Sequence, residues 1–134
     1  MNKHNCEQKM SFAEIIENSN DFKFINYLLE STNGMVAGGC FKDIYYGKSP
    51  KDFDVYFKNN QDLSQATQKF LDLKYDVLYE TKNVIAFGVP DFISNPSNND
   101  QVSVRRVELV KSIMGDFAGI IHTFDFTICK MGYY

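Results

Sequence analysis

Residues 52–57 read Asp-Phe-Asp-Val-Tyr-Phe and alternate without a break. Asp52, Asp54 and Tyr56 fall on one side; Phe53, Val55 and Phe57 fall on the other. Positions two apart in a β-strand share a face, so this segment is expected to lay an apolar row on a core and present two carboxylates opposite it. At about 3.3 Å per residue the two aspartates stand about 6–7 Å apart along the backbone. Anions this close repel unless a cation sits between them. Hard oxygen donors grouped this way suit magnesium or manganese, which keep coordination positions open for substrate phosphates. Asp52 and Asp54 are therefore the candidate metal ligands, carried on a stiff element.

The preceding residues frame that strand. Met35–Ala37 is a short apolar run that reads as the first core strand, launched from Asn33-Gly34. Gly38 and Gly39 follow, then an amphipathic segment over 40–46 and a turn around Gly47, Ser49 and Pro50. Glycines between a strand and a helix let backbone N–H groups approach a phosphate, with the helix dipole adding to the attraction. A Gly-Gly pair alone is more often a plain turn; its spacing to Lys42-Asp43 and to Asp52-x-Asp54 is the more specific signal.

That combination, Gly38-Gly39-Cys40-Phe41-Lys42-Asp43, Gly47 and Lys51-Asp52-Phe53-Asp54-Val55, resembles the head domain of poly(A) polymerases and CCA-adding enzymes, within the DNA polymerase beta-like nucleotidyltransferases. The resemblance implies Asp52 and Asp54 as magnesium ligands and places Gly38, Gly39 and Lys42 near a nucleoside triphosphate. Lys42 stands where that family usually has Arg, keeping the charge but losing the planar fork. The resemblance covers 34–57 closely and 102–129 loosely. In the second segment Asp125-Phe126-Thr127 is similar to a family motif, but Thr123 and Phe124 replace its two arginines, a form closer to divergent nucleotidyltransferase-like proteins of phages. The helical domains that follow the head in that family have no counterpart in this sequence, so a minimal head or a partner chain supplying substrate binding is expected.

Hydropathy and charge bound the rest. A chain of 134 residues is expected to form one domain over 1–134 with one modest core, residues 1–10 being polar and frayed. With 15 % aromatics and no Trp, Phe and Tyr must supply most of the packing bulk. A net charge of −3 argues against non-specific polyanion binding by the whole chain. The sequence holds no apolar run long enough for a membrane span and no signal peptide, and its three cysteines, Cys6, Cys40 and Cys129, show no paired spacing, as expected of reduced thiols in a cytoplasmic protein.

Along the chain, Ser11 and Glu14 form a capping box opening a helix to about 18. Asp21 is expected to cap a second helix carrying Phe24, Ile25, Leu28 and Leu29. Leu63, Ala66, Phe70 and Leu73 give a helix over 62–73 that covers the sheet. Residues 75–80 and 83–89 read as a hairpin, 90–100 as a surface loop, 102–110 as a strand, 113–122 as a short helix and 124–129 as a last strand. On the 102–110 strand Val107 and Leu109 share one face and Arg106 and Glu108 the other. A metal-binding aspartate pair usually has a third carboxylate on a neighbouring strand, and Glu108 is the candidate for it, as ligand or as base; a solvated ion pair with Arg106 is the bland alternative. Arg105 and Arg106 read as a solvated pair or as phosphate contacts, and His122 as structural or exposed.

The expected architecture is α/β (α+β): a nucleotidyltransferase-like mixed sheet of about five strands with helices mainly on one face. The favoured function is magnesium-dependent transfer of a nucleotidyl group from a nucleoside triphosphate to a hydroxyl, an RNA 3′ end or another acceptor. The alternative is a degenerate binding module, such as a phage-encoded regulator or inhibitor acting on RNA or a protein partner.

Overall fold

The computed structural model describes residues 20–92, 103–122 and 132–133. In chain order these form α1 (Asn20–Ser31), β1 (Met35–Ala37), α2 (Gly39–Tyr45), β2 (Asp52–Phe57), α3 (Asn60–Asp72), β3 (Asp76–Glu80), β4 (Val84–Pro90), β5 (Val104–Met114), α4 (Phe117–His122) and β6 (Gly132–Tyr133). The strands make one mixed sheet in the order β3-β4-β5-β2-β1-β6. Only the central pair, β2 with β5, is parallel; the other pairs are antiparallel. This is the expected α+β fold, the sixth strand being a two-residue edge.

One sheet face carries the main core. Val36, Phe53, Val55, Phe57, Ile85, Phe87, Val89, Val107 and Leu109 pack there against Phe24, Ile25 and Leu28 of α1, Phe41 of α2 and Leu63, Ala66 and Phe70 of α3. Phe24, Phe41, Phe53, Phe57, Phe70 and Phe87 are fully buried. Phe24 meets Phe53 at 5.0 Å between ring centroids, and Phe70 meets Phe87 edge-on at 5.3 Å. Each such ring contributes about 1.5–3 kcal/mol through its burial, so phenylalanine carries the packing that a Trp-free chain must find elsewhere. A smaller cluster, Met35, Ala37, Tyr56, Val110, Phe117 and Ile120, covers part of the opposite face beneath α4.

Local chemistry sets the boundaries. The Thr32 hydroxyl donates to the Leu28 carbonyl and accepts from the Gly34 N–H, closing α1 and turning the chain into β1. A Cβ at Gly34 would lie 2.4 Å from Val55 Cγ1 and 2.9 Å from the Tyr56 carbonyl, so only glycine lets β1 come this close to β2. Asn59 caps α3 by accepting from the Asp62 N–H at 2.9 Å. The hairpin expected at 75–80 and 83–89, the helix expected over 62–73 and the strand expected over 102–110 correspond to β3–β4, α3 and β5, residue 102 lying outside the described residues.

Three details differ. Asp21 lies inside the first turn of α1 rather than at its cap. The helix expected over 113–122 begins at Phe117, because β5 continues through Met114, pairing with Phe57 past an irregularity in the β2–β5 register. Arg105 is neither solvated nor open to phosphate: it is buried and ion-paired. The expected helix near 11–18, the frayed 1–10, residues 93–100 of the loop, the strand at 124–129, Cys6 and Cys129 lie outside the described residues.

Candidate functional site

The parallel register of β2 and β5 pairs Asp52 with Arg106 and Asp54 with Glu108. Residues directly opposite one another point to the same side, so Asp52, Asp54 and Glu108 come together on the face turned away from the main core. Ala37 beside Asp54 on β1 and Ala86 beside Glu108 on β4 are too small to roof them. The sheet therefore brings all three sequence-derived carboxylates onto one surface, next to the small cluster under α4.

Their states differ. Asp52 is held by Arg106 in a two-pronged ion pair, Nε to Oδ1 at 2.8 Å and Nη2 to Oδ2 at 2.7 Å. Both partners are about half exposed. The fork raises the Arg106 guanidinium further above its already high value. Asp54 is half-buried and hydrogen-bonded to Glu108. Burial first, then the hydrogen bond and negative charge of Glu108, push its carboxyl from 3.8 up to about 7. Near neutral pH the Asp54 carboxyl therefore gains or loses its proton, with the Glu108 carboxyl beside it.

The buried flank responds to that charge. Burial and the negative potential of Asp54 push the Tyr56 hydroxyl up to about 12 and raise the thiol of buried Cys40 well above its ordinary value. Among the described residues Cys40 is the free cysteine, and its raised value keeps it an inert thiol. Gly38 precedes α2 with φ 95°, a conformation glycine reaches without strain, and a Cβ there would stand 3.6 Å from Asp54 Oδ2. The glycine bend thus faces the Asp54 carboxylate. Gly39 and Lys42, the other expected phosphate contacts, are exposed.

Tyr79 escaped the sequence, and Arg105, expected to be solvated or phosphate-facing, is a buried structural residue. Tyr79 of β3 donates its hydroxyl to Glu108 and lies under the Arg106 guanidinium at 5.9 Å. No periodicity announces it, because a bulge between Val77 and Tyr79 resets the β3 register. Arg105 stands on the other face, stacked against Phe24 and Phe53 at 5.1 and 5.5 Å. It reaches Asp21 at 2.7 Å, Asp91 at 2.8 Å and the Pro50 carbonyl at 3.2 Å, tying α1 to β5 and to the end of β4. Its sequence signal was available: Arg105 alternates in step with the core residues Val107 and Leu109. A cleft of about 470 Å³ opens beside it, lined by Ser49, Lys51, Ser103 and Val104, away from the carboxylate pair.

As chemistry, the face offers hard oxygen donors and a proton held near neutrality. Asp54 and Glu108 suit a divalent cation by donor type, and Asp52 would join them by releasing Arg106. Among the described residues no group of three His, Cys, Asp or Glu side chains is already gathered as a metal site, and no helix is long and apolar enough to cross a membrane.

The geometry defines an α+β protein with a charged, partly bare sheet face, a class broad enough to serve catalysis or docking. Comparison with protein families narrows it. A family model described as Gabija anti-defense 2 family protein matches residues 4–134, and the chain belongs to that family. No curated protein and no solved structure matches it. This membership overturns the identification with poly(A) polymerases, CCA-adding enzymes and their nucleotidyltransferase superfamily. The glycine pair and the Asp-x-Asp strand report a local strand–turn–helix–strand geometry, and a short motif set by such geometry does not carry ancestry or substrate with it. The ground for assigning a nucleoside triphosphate to Gly38, Gly39 and Lys42 falls with the identification.

Proposed function

We propose that this protein counteracts the Gabija defence system, as a phage-encoded inhibitor that binds one of the system's proteins. The observation that carries the reading is the family match over nearly the whole chain. The fold supports it with a surface suited to contact: aromatic, aliphatic and charged groups on the bare part of the sheet, where the described helices leave the strands uncovered. The test is direct. Cells protected by a Gabija system are expected to become permissive to phage when they express this protein, and the purified protein is expected to co-elute with one Gabija protein. Full protection in the presence of the folded protein sinks the reading.

A second reading concerns the same face and has its own support. Asp54, pushed up to about 7 beside Glu108, holds a proton that a dication would displace. Magnesium or manganese would be held by Asp54 and Glu108 with Asp52 beside them, and would supply positive charge for phosphate or carboxylate oxygens of a bound partner. Millimolar magnesium is then expected to raise Tm by mass action, and Asp54→Asn to abolish the rise. An unchanged Tm in the native protein removes the cation.

A further inference from the structure

The bulge in β3 has a consequence for the exposed surface. Asp76 opposes Gly88 and Val77 opposes Phe87; past the irregularity Tyr79 opposes Ala86. Gly88 and Ala86 both point away from the main core, since Phe87 and Val89 point into it. Leu78, the extra residue, lies against the space above Gly88: a Cβ built there would meet Leu78 Cδ2 at 3.4 Å and Val104 Cγ1 at 3.0 Å. The bulge therefore turns two consecutive side chains, Leu78 and Tyr79, to the same face. Leu78 is 48 % exposed and Val104 62 % exposed, so two aliphatic groups stand together in solvent beside Tyr79 and Arg106.

Among the described residues, carboxylates outnumber cations on the part of this face around Leu78 and Val104. Asp52 and Asp54 on β2, Glu108 on β5 and Asp76 on β3 share the face by register, against the Arg106 guanidinium. Arg106 is already committed to Asp52. Asp54 and Glu108 stand side by side by register. A phosphate backbone would meet repulsion here, whereas a lysine or arginine would relieve the crowding, and a neighbouring apolar side chain would cover Leu78 and Val104. Tyr79 and Arg106, residue types enriched among those that dominate binding energy, flank the exposed Leu78 and Val104.

We infer that the sheet face formed by Leu78, Tyr79, Val104, Arg106, Glu108 and Asp54 docks a segment of a partner protein that brings a cationic side chain next to an apolar one. The inference rests on the reading that the chain acts by binding a Gabija protein, and names the surface and the chemistry of the segment. Each purified Gabija protein is titrated against the native chain, Leu78→Asp, Val104→Asp, Glu108→Gln and, as a control on the exposed side of α3, Gln65→Asp. The three face variants are expected to lose about tenfold or more in affinity, Gln65→Asp to bind as the native chain does, and salt at about 0.5 M to weaken native binding. Far-UV circular dichroism and Tm confirm that each variant is folded; Val104→Asp, at the more exposed position, stands in if Leu78→Asp does not fold. Native binding with undiminished affinity in all three face variants overturns the docking face while leaving the binding function intact. A native chain that binds no Gabija protein removes that function and the face together. A native dimer that Leu78→Asp dissociates overturns the inference in favour of a second copy on this surface.

Discussion

The two faces of the sheet obey different rules. On the core face the strands β1, β2, β4 and β5 pack against rings and aliphatic chains from α1, α2 and α3, and the buried Arg105 is clamped by two carboxylates. On the other face the described residues cover only the part beneath α4, and Asp52, Asp54, Glu108, Arg106 and Tyr79 answer mainly to one another and to solvent. The first face stores stability. The second keeps groups in states that a partner can change. A chain of this size gains its rigidity on one side and can spend the other on recognition.

Substitutions test that division, beginning where the effect is greatest. Phe53→Ala opens a cavity at the centre of the core face and is expected to cost about 3–5 kcal/mol in a urea titration. A loss much below this would mean the core face is not the main store of stability. Arg105→Ala removes the cation that pairs with Asp21 and Asp91, and a cost of about 3–4 kcal/mol is expected by the same measurement, with Arg105→Lys recovering part of it.

Asp54 should behave in the opposite sense. Its folded value of about 7 lies above its ordinary 3.8, so the folded protein keeps a proton that the unfolded chain releases. Stability contributed by that proton is present below about pH 4 and is lost as pH rises towards about 7. Asp54→Asn is expected to flatten this slope and to stabilise the protein at pH 8 by on the order of 2 kcal/mol. A pH profile identical to that of the native chain would show that the carboxyl pair is not crowded. The smallest effect belongs to Asp52→Asn: its partner Arg106 is exposed, and Tm is expected to stay within experimental error. A clear drop there would make the outer face a structural one and blur the contrast between the two.

Much of the core face was legible from residue order. The alternation at 52–57 put Phe53, Val55 and Phe57 inside, and Val107 with Leu109 followed the same rule on β5. The helix over the sheet, the hairpin and the shared side of Asp52 and Asp54 came from periodicity as well. The misreadings share a cause. Arg105 can be buried because Asp21, 84 positions away, and the buried Asp91 neutralise it, a pairing that neither a cap reading of Asp21 nor a solvated reading of Arg105 anticipates. Tyr79 was hidden by a one-residue bulge that no local pattern signals. The motif around Gly38 and Asp54 resembles a family signature, although spacing alone specifies a bend and a strand.

By itself, then, residue order determined which side chains could share a strand face or a helix stripe, since those periods of two and 3.6 are properties of the backbone. Which strands became neighbours, and hence that Asp54 meets Glu108, that Asp52 is taken by Arg106 and that Leu78 joins Val104 in solvent, was decided only in three dimensions. Pairing depends on contacts between distant segments, and the free energy of each charge depends on what those segments bring within a few ångströms of it.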